Sequence, residues 1–203
     1  MYPLVLDQFD IRHVVERLCC IGATAVPILD HDFRHALLEE ARTSPLTPGQ
    51  KIVGRGDRVV RQELDFCEQF PPESRCIQFK QAFQTTLEAQ LHKIDDYPLA
   101  TRLAFNSIML QKYPGGSLGI SAHRDGQRYV NLICILVIAG SGRFHICADR
   151  SGAQSQEIPA EPGDAILMRA PGFAGREDRL FHYVTEIRET RYTLGLRQER
   201  LSH

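Results

Sequence analysis

The chain contains no tryptophan, so any stacking surface must come from its other aromatic and imidazole side chains. Its six cysteines, Cys19, Cys20, Cys67, Cys76, Cys134 and Cys147, include no C-x-x-C pair. A chain of 203 residues does not depend on disulfide staples, so free thiols in a reducing cytoplasm are expected. No apolar run approaches the roughly 18 residues that a membrane-spanning helix requires. The first twenty residues are interrupted by Asp7, Asp10, Arg12 and Glu16 and carry no basic region ahead of an apolar stretch, so no signal peptide is expected. Neither charge sign dominates: 24 Lys and Arg stand against 25 Asp and Glu, a formal net charge of −1. That excludes a bulk-basic nucleic-acid coat and an acidic disordered tail, while leaving room for a local basic groove. Internal repeats and low-complexity tracts are also absent. The 43% of hydrophobic residues suffices for one ordinary core, so a single domain over 1–203 is expected.

The pattern changes near Pro98. Before it, Ile11, Val14, Val15 and Leu18 recur at helical spacing, and Ala23–Ile28 reads as a strand that Pro27 places at an edge. Asp30 or Asp32 can cap the next helix, which carries Phe33, Ala36, Leu37 and Ala41. Pro45, Pro48, Gly49, Gly54 and Gly56 punctuate residues 43–58 as a loop or flap, followed by a strand over 59–64. Cys76, Ile77, Phe79, Phe83, Leu87 and Leu91 predict a longer helix over 74–96. From residue 105 onward short apolar segments alternate with Gly, Pro and Asp. Strands are predicted near 106–113, 118–123, 129–138, 142–148, 156–159, 164–169, 180–187 and 191–197, the pattern of a sandwich or jelly roll. Val130–Ile138 is almost continuously apolar, as a strand buried on both faces requires. The fold class is therefore α+β, mainly β: a jelly-roll core with supporting N-terminal helices.

The chemistry is carried by the β region. His123 and Asp125 are two residues apart at a strand end, so both can reach one metal. His182 lies in a later strand, and an antiparallel roll can return that strand beside the first. Two imidazoles and one carboxylate on one side of an ion leave the opposite positions open, the facial arrangement of non-haem Fe(II) sites. A 2-oxo acid can chelate two of those positions, and its distal carboxylate then wants a bidentate cation, for which arginine is best suited. Arg191 opens the final predicted strand, Arg191–Arg197. A histidine pair at His31 and His35 has no third ligand and reads as a solvated helix face. His145 and Cys147 share a strand face but have no second pair, and read as packing residues; His13 and His92 read as helix-surface residues.

This ordered set resembles the Fe(II)/2-oxoglutarate-dependent dioxygenases, and among them the AlkB-like branch, whose R-x5-R tail matches Arg191 and Arg197 in RYTLGLRQ. The segment from Asn106 to Gly116 resembles the family's strand and Tyr-x-Pro-Gly-type turn. The resemblance covers about residues 104–198 and implies a double-stranded β-helix there; residues 1–100 read as helical support and substrate lid. It implies Fe(II) held by His123, Asp125 and His182, with 2-oxoglutarate and O2 as co-substrates. It further implies that Arg191 holds the distal carboxylate, that Tyr113 donates to 2-oxoglutarate, that Arg197 braces the site near Asp125 or the substrate, and that Gln111 and Thr193 stand where the family has other 2-oxoglutarate contacts. Asn is usual at the Gln111 position and frequent at the Thr193 position. The spacing from Tyr113 to His123 is one residue longer than the commonest AlkB spacing.

The activity implied is hydroxylation or oxidative demethylation of a substrate, with release of succinate and CO2. Arg124 and Arg128 flank the metal motif and residues 51–61 carry four cations and one anion, which suits an anionic substrate. Two alternatives remain. An AlkB-type nucleic-acid repair demethylase wants a cationic strand groove and stacking aromatics, which near-neutrality and the missing tryptophan disfavour. A non-catalytic cupin-like metal-binding module shares the jelly roll but leaves Arg191 and Arg197 unexplained.

Overall fold

The computed structural model describes residues 2–7 and 9–200. Three α-helices, α1 (Ile11–Cys20), α2 (His31–Thr43) and α3 (Arg75–Leu91), lie in the N-terminal half. That half also holds β1 (Ala23–Pro27) and four short strands, β2 (Thr47–Pro48), β3 (Ile52–Val53), β4 (Val60–Arg61) and β5 (Asp65–Cys67). The remainder is β6 (Ser107–Tyr113), β7 (Ile120–His123), β8 (Tyr129–Ala139), β9 (Arg143–Cys147), β10 (Gln156–Glu157), β11 (Asp164–Arg169), β12 (Phe181–Thr185) and β13 (Arg191–Glu199). Among the described residues, no helix is long and apolar enough to cross a membrane.

The helices begin where side chains can satisfy their first amides. Asp10 accepts from the Arg12 and His13 amides, Asp30 from Phe33, and Ser74 from Cys76. Each such cap stabilises its helix by about 1 kcal/mol. Helix α3 stops at Leu91 rather than extending to residue 96. Beyond it the chain turns back so that the Tyr97 hydroxyl and the Leu103 amide both donate to the buried Glu88 carboxylate, and Pro98 disfavours helix at the residue before it. The predicted strand over 59–64 also shortens, to Val60–Arg61, and residues 43–58 contain two brief strands and a 3-10 turn rather than loop alone.

Two antiparallel sheets form the core. The larger has the order β1-β11-β8-β13-β6-β5-β2, the smaller β10-β9-β12-β7, and β3 with β4 forms a separate hairpin. Strand alternation splits the core in two. Leu132, Cys134, Leu136 and Ile138 of β8, with Leu194 and Leu196 of β13, face the helices and meet Phe79, Phe83 and Leu87 of α3. Ile133, Ile135 and Val137 face the smaller sheet, where they meet Phe144, Ile146 and Val184. Strand β8 is thus buried on both faces, which is why its sequence is apolar throughout. Each fully buried aliphatic or aromatic side chain here contributes about 1.5–3 kcal/mol. The two facing sheets fit a jelly-roll core.

On β13 the same alternation turns Arg191, Thr193, Gly195 and Arg197 away from the helices and into the space between the sheets. Their neighbours on β6 are fixed by register: Arg191 opposite Tyr113, Thr193 opposite Gln111, and Arg197 opposite Ser107.

Candidate metal centre

The smaller sheet places the histidines. Strands β7 and β12 pair so that His182 lies opposite His123, with a register shift between His182 and Val184. Gly119, just before β7, has a φ of 77° and packs its α-carbon against the Val184 carbonyl, where a Cβ would collide. Only glycine tolerates that conformation and contact together. Asp125 lies two residues beyond the end of β7, in the connection to β8, rather than within the strand.

These three side chains converge. One ligand atom from each of His123, Asp125 and His182 lies within 4.8 Å of the others, the one such cluster of three potential ligands among the described residues. Both Nε2 atoms are 3.8 Å from Asp125 Oδ1. The opposite ring nitrogens are occupied: Nδ1 of His123 is 2.9 Å from the Ser121 carbonyl oxygen and Nδ1 of His182 is 3.3 Å from that of Leu180. Donation by Nδ1–H to a carbonyl fixes the tautomer that leaves the Nε2 lone pairs facing Asp125.

Electrostatics keep this donor set in its ligating form. Burial, reinforced by the neighbouring His123, pushes the His182 pKa down to about 3. Burial also lowers that of His123. Burial alone would raise the Asp125 pKa, but Arg197 and the two imidazoles outweigh it and hold the carboxyl well below its usual range. Two neutral imidazoles and one carboxylate at neutral pH suit a divalent transition metal with open coordination positions, so the residues present fit Fe(II). Arg197 Nε donates to Asp125 Oδ2 at 2.7 Å, which leaves Oδ1 directed at the histidines. Gly195 makes room for that guanidinium: a Cβ there would lie 2.6 Å from Arg197 Nη1. Arg179 Nη1 donates to the Asp125 carbonyl oxygen at 2.9 Å. Nothing in the sequence marks Arg179 or Gly195 for these roles, because both depend on loop and side-chain paths that periodicity does not encode.

At the other end of the same wall, Arg191 is 1% exposed. Its Nη1 donates to the Gly142 carbonyl at 3.0 Å, but its buried Nε has no partner. An unpaired buried guanidinium nitrogen is costly unless an anion joins it. Opposite it, the Tyr113 phenol is 4% exposed, and burial pushes its pKa up to about 12, so it is a protonated donor. Between the two arginines, Thr193 Oγ1 donates to Gln111 Oε1 at a long 3.4 Å. All eight side chains expected to form the site therefore line one interior, running from His123, Asp125, His182 and Arg197 to Tyr113 and Arg191 past Gln111 and Thr193.

The other histidines among the described residues stay outside it. His31 and His35 are exposed, edge to face at 4.6 Å. His145 stacks on Tyr183 at 4.7 Å and its Nδ1 is 3.2 Å from Ser155 Oγ, while Cys147 donates to the Asp149 carbonyl. All six cysteines are unbridged.

No family model matches the chain, and no curated protein matches it. Solved structures do. A prolyl hydroxylase from Trichoplax adhaerens, determined in complex with a hypoxia inducible factor peptide fragment, superposes with a TM-score of 0.67 at 14% identity, covering 93% of this chain and 88% of that one. A prolyl-4-hydroxylase from Pseudomonas putida gives 0.67 at 16% identity, covering 94% and 99%. An oxidoreductase of the 2OG-Fe(II) oxygenase family from Burkholderia pseudomallei gives 0.63 at 11% identity, covering 97% and 93%. The chain therefore shares, over nearly its whole length, the fold on which these oxygenases are built.

Proposed function

We propose that this protein is an Fe(II)- and 2-oxoglutarate-dependent dioxygenase that hydroxylates, or oxidatively demethylates, its substrate and releases succinate and CO2. The observation that carries the reading is the pairing of two features in one interior. One is the His123, Asp125 and His182 cluster; the other is the deeply buried Arg191 with its free Nε. Neither a metal-binding module nor a structural core needs both.

His123, Asp125 and His182 would hold the Fe(II), which with 2-oxoglutarate and O2 supplies the oxidising power for attack on a C–H bond. Arg191 and the Tyr113 hydroxyl would bind the distal carboxylate of 2-oxoglutarate, with Gln111 and Thr193 along its length. Held at that end, the 2-oxo acid would present its other end to the metal cluster. Arg197 keeps Asp125 ionised and its Oδ1 aimed at the histidines. The apolar walls Ile133, Ile135, Phe144 and Val184 exclude water from the reacting atoms. The AlkB-like layout rests on Arg191, Arg197 and Tyr113, and supports demethylation as one outcome. The likeness to prolyl hydroxylases supports hydroxylation as the other. The near-neutral charge and absent tryptophan argue against a nucleic-acid repair role.

The test is O2-dependent conversion of 2-oxoglutarate to succinate by the Fe(II)-reconstituted protein. His123→Ala and Asp125→Ala should abolish it. Turnover at the wild-type level in either variant excludes the assignment.

A further inference from the structure

Several surface arginines are matched by acids: Arg143 with Glu157 and Glu186, Arg188 with Glu186, Arg42 with Glu39. At the metal end the acids are already engaged. Asp125 is held by Arg197, Asp178 by Arg169, Glu199 by Arg128 and Glu177 by Arg200. Asp149 accepts from the Ser151 amide and hydroxyl. Among the described residues, Arg55, Arg58, Arg124 and Arg150 have no carboxylate partner, and the acid on the hairpin that carries Arg55 and Arg58 is Asp57.

Register brings the segments that carry them together. Gln62 bridges Ile120, and the Arg61 amide donates to Ser121 Oγ at 2.9 Å. Continued antiparallel, this pairing sets Val59 beside His123 and carries the turn 54–58 past the metal end of β7. Arg150 fixes the arrangement: its Nη1 lies 3.2 Å from the Val59 carbonyl oxygen and 3.4 Å from that of Ala122. Arg124, between the two metal-motif residues, lies over the Phe181 ring at 4.0 Å, with Arg150 at 5.6 Å from the same ring. Residues 51–58 are all exposed.

We propose that this rim docks an acidic polypeptide segment as the substrate, with Arg55, Arg58, Arg124 and Arg150 pairing with its carboxylates. The proposal rests on the dioxygenase reading for what happens to that segment, not for its binding. Three features favour a polypeptide. The cations sit on separate segments around an open rim rather than enclosing a small anion. The same hairpin exposes Ile52 and Val53, 62% and 42% accessible, and β3 pairs only with β4, which leaves a strand edge that an extended chain can join. Phe181, the ring beside these cations among the described residues, is already covered by Arg124, and a chain of net charge −1 lacks the extended field that attracts nucleic acid. Charge complementarity at such a rim sets association rate and selectivity.

The experiment is fluorescence anisotropy with a short fluorescein-labelled peptide of alternating Glu and Val. The controls are a Lys–Val peptide of equal length and an oligothymidylate. The full chain is used with and without Fe(II) and 2-oxoglutarate, under anaerobic conditions. The Glu–Val peptide should bind, lose affinity as salt is raised, and lose roughly tenfold or more in Arg55→Glu/Arg58→Glu. That variant alters exposed, unpaired side chains and should keep the wild-type Tm; Arg124→Glu serves as an independent second variant. Equal binding of the Lys–Val peptide, tighter binding of the oligothymidylate, or unchanged affinity in both variants overturns the proposal. Peptide binding in a protein that never converts 2-oxoglutarate would count against the dioxygenase reading alone.

Discussion

Arg197 donates its Nε–H to Asp125 Oδ2 at 2.7 Å, with both side chains about nine-tenths buried. The pair is local to the centre but spans 72 residues of sequence, so it ties the last strand to the connection after β7. Removing the guanidinium leaves a carboxylate buried without its counter-charge. Arg197→Leu should therefore destabilise the protein by about 3–5 kcal/mol. It should also weaken Fe(II) binding by about 10–100-fold, because Asp125 loses the contact that aims it. Urea unfolding and Fe(II) titration measure the two effects. A variant with normal metal affinity would show that Asp125 is oriented by the Arg179 contact to its backbone instead.

Arg191 has no part in the metal cluster, so its loss should separate co-substrate binding from iron binding. Arg191→Ala is expected to raise the KM for 2-oxoglutarate by about two orders of magnitude or more, the scale of losing a buried charge-assisted bidentate contact. Bound iron per chain should stay near the wild-type value. Unchanged KM would remove the carboxylate role. A parallel fall in iron content would mean that the variant perturbs the whole interior rather than its deep end.

The clearest parts of the molecule in the sequence were those with strict period. The apolar run of β8 declared a strand buried on both faces, and the i+4 spacing of Phe79, Phe83, Leu87 and Leu91 declared α3. The candidate centre was legible because His123 and Asp125 are two residues apart in the chain and because Arg191 and Arg197 share a strand face. What the sequence hid depends on contacts between distant segments. The end of α3 is set by Tyr97 and Leu103 closing on Glu88, which no local pattern announces. The hairpin of β3 and β4 has strands of two residues each, too short to carry a period, and its turn is placed by Arg150, about 90 residues downstream. Arg179 gave no signal because its function is one hydrogen bond to a backbone carbonyl.

The metal-free protein should lose stability in acid over a defined window. His182 ordinarily takes a proton at 6.5, whereas in the fold its pKa is pushed down to about 3. Between those values the unfolded chain binds a proton that the native state refuses, so stability rises with pH there and falls as pH drops from 6.5 toward 3. Burial drives His123 in the same direction. Asp125 adds to the loss at lower pH: its depressed pKa contributes stability that is present above the usual carboxylate range and disappears as the carboxyl is protonated. The maximum slope is about 1.4 kcal/mol per pH unit for each proton. Urea midpoints measured in the presence of a chelator should follow this slope, and His182→Phe should flatten the upper part of it. A midpoint that is constant from pH 6.5 to 4 would mean that the imidazole is accessible to protons in the native state.

Gly195 tests whether the centre depends on how Arg197 folds back along its own strand. A methyl group at this position would stand 2.6 Å from Arg197 Nη1, and its nearest backbone neighbour, the Met109 carbonyl oxygen, is 3.7 Å away. The obstacle is thus the far end of one flexible side chain, not the main chain. Gly195→Ala should be tolerated by the fold, since alanine loses less backbone freedom than glycine on folding. The guanidinium must then shift by several tenths of an ångström, and the 2.7 Å bond to Asp125 lengthens or bends. The expected result is a Tm within a few degrees of wild type alongside roughly a tenfold loss of Fe(II) affinity. Arg197→Lys in the Gly195→Ala background should recover part of that loss, because the slimmer ammonium can pass the methyl group and still reach Asp125. Equal losses in Tm and metal affinity, with no recovery by lysine, would place the strain in the β13 backbone rather than in the Arg197–Asp125 pair.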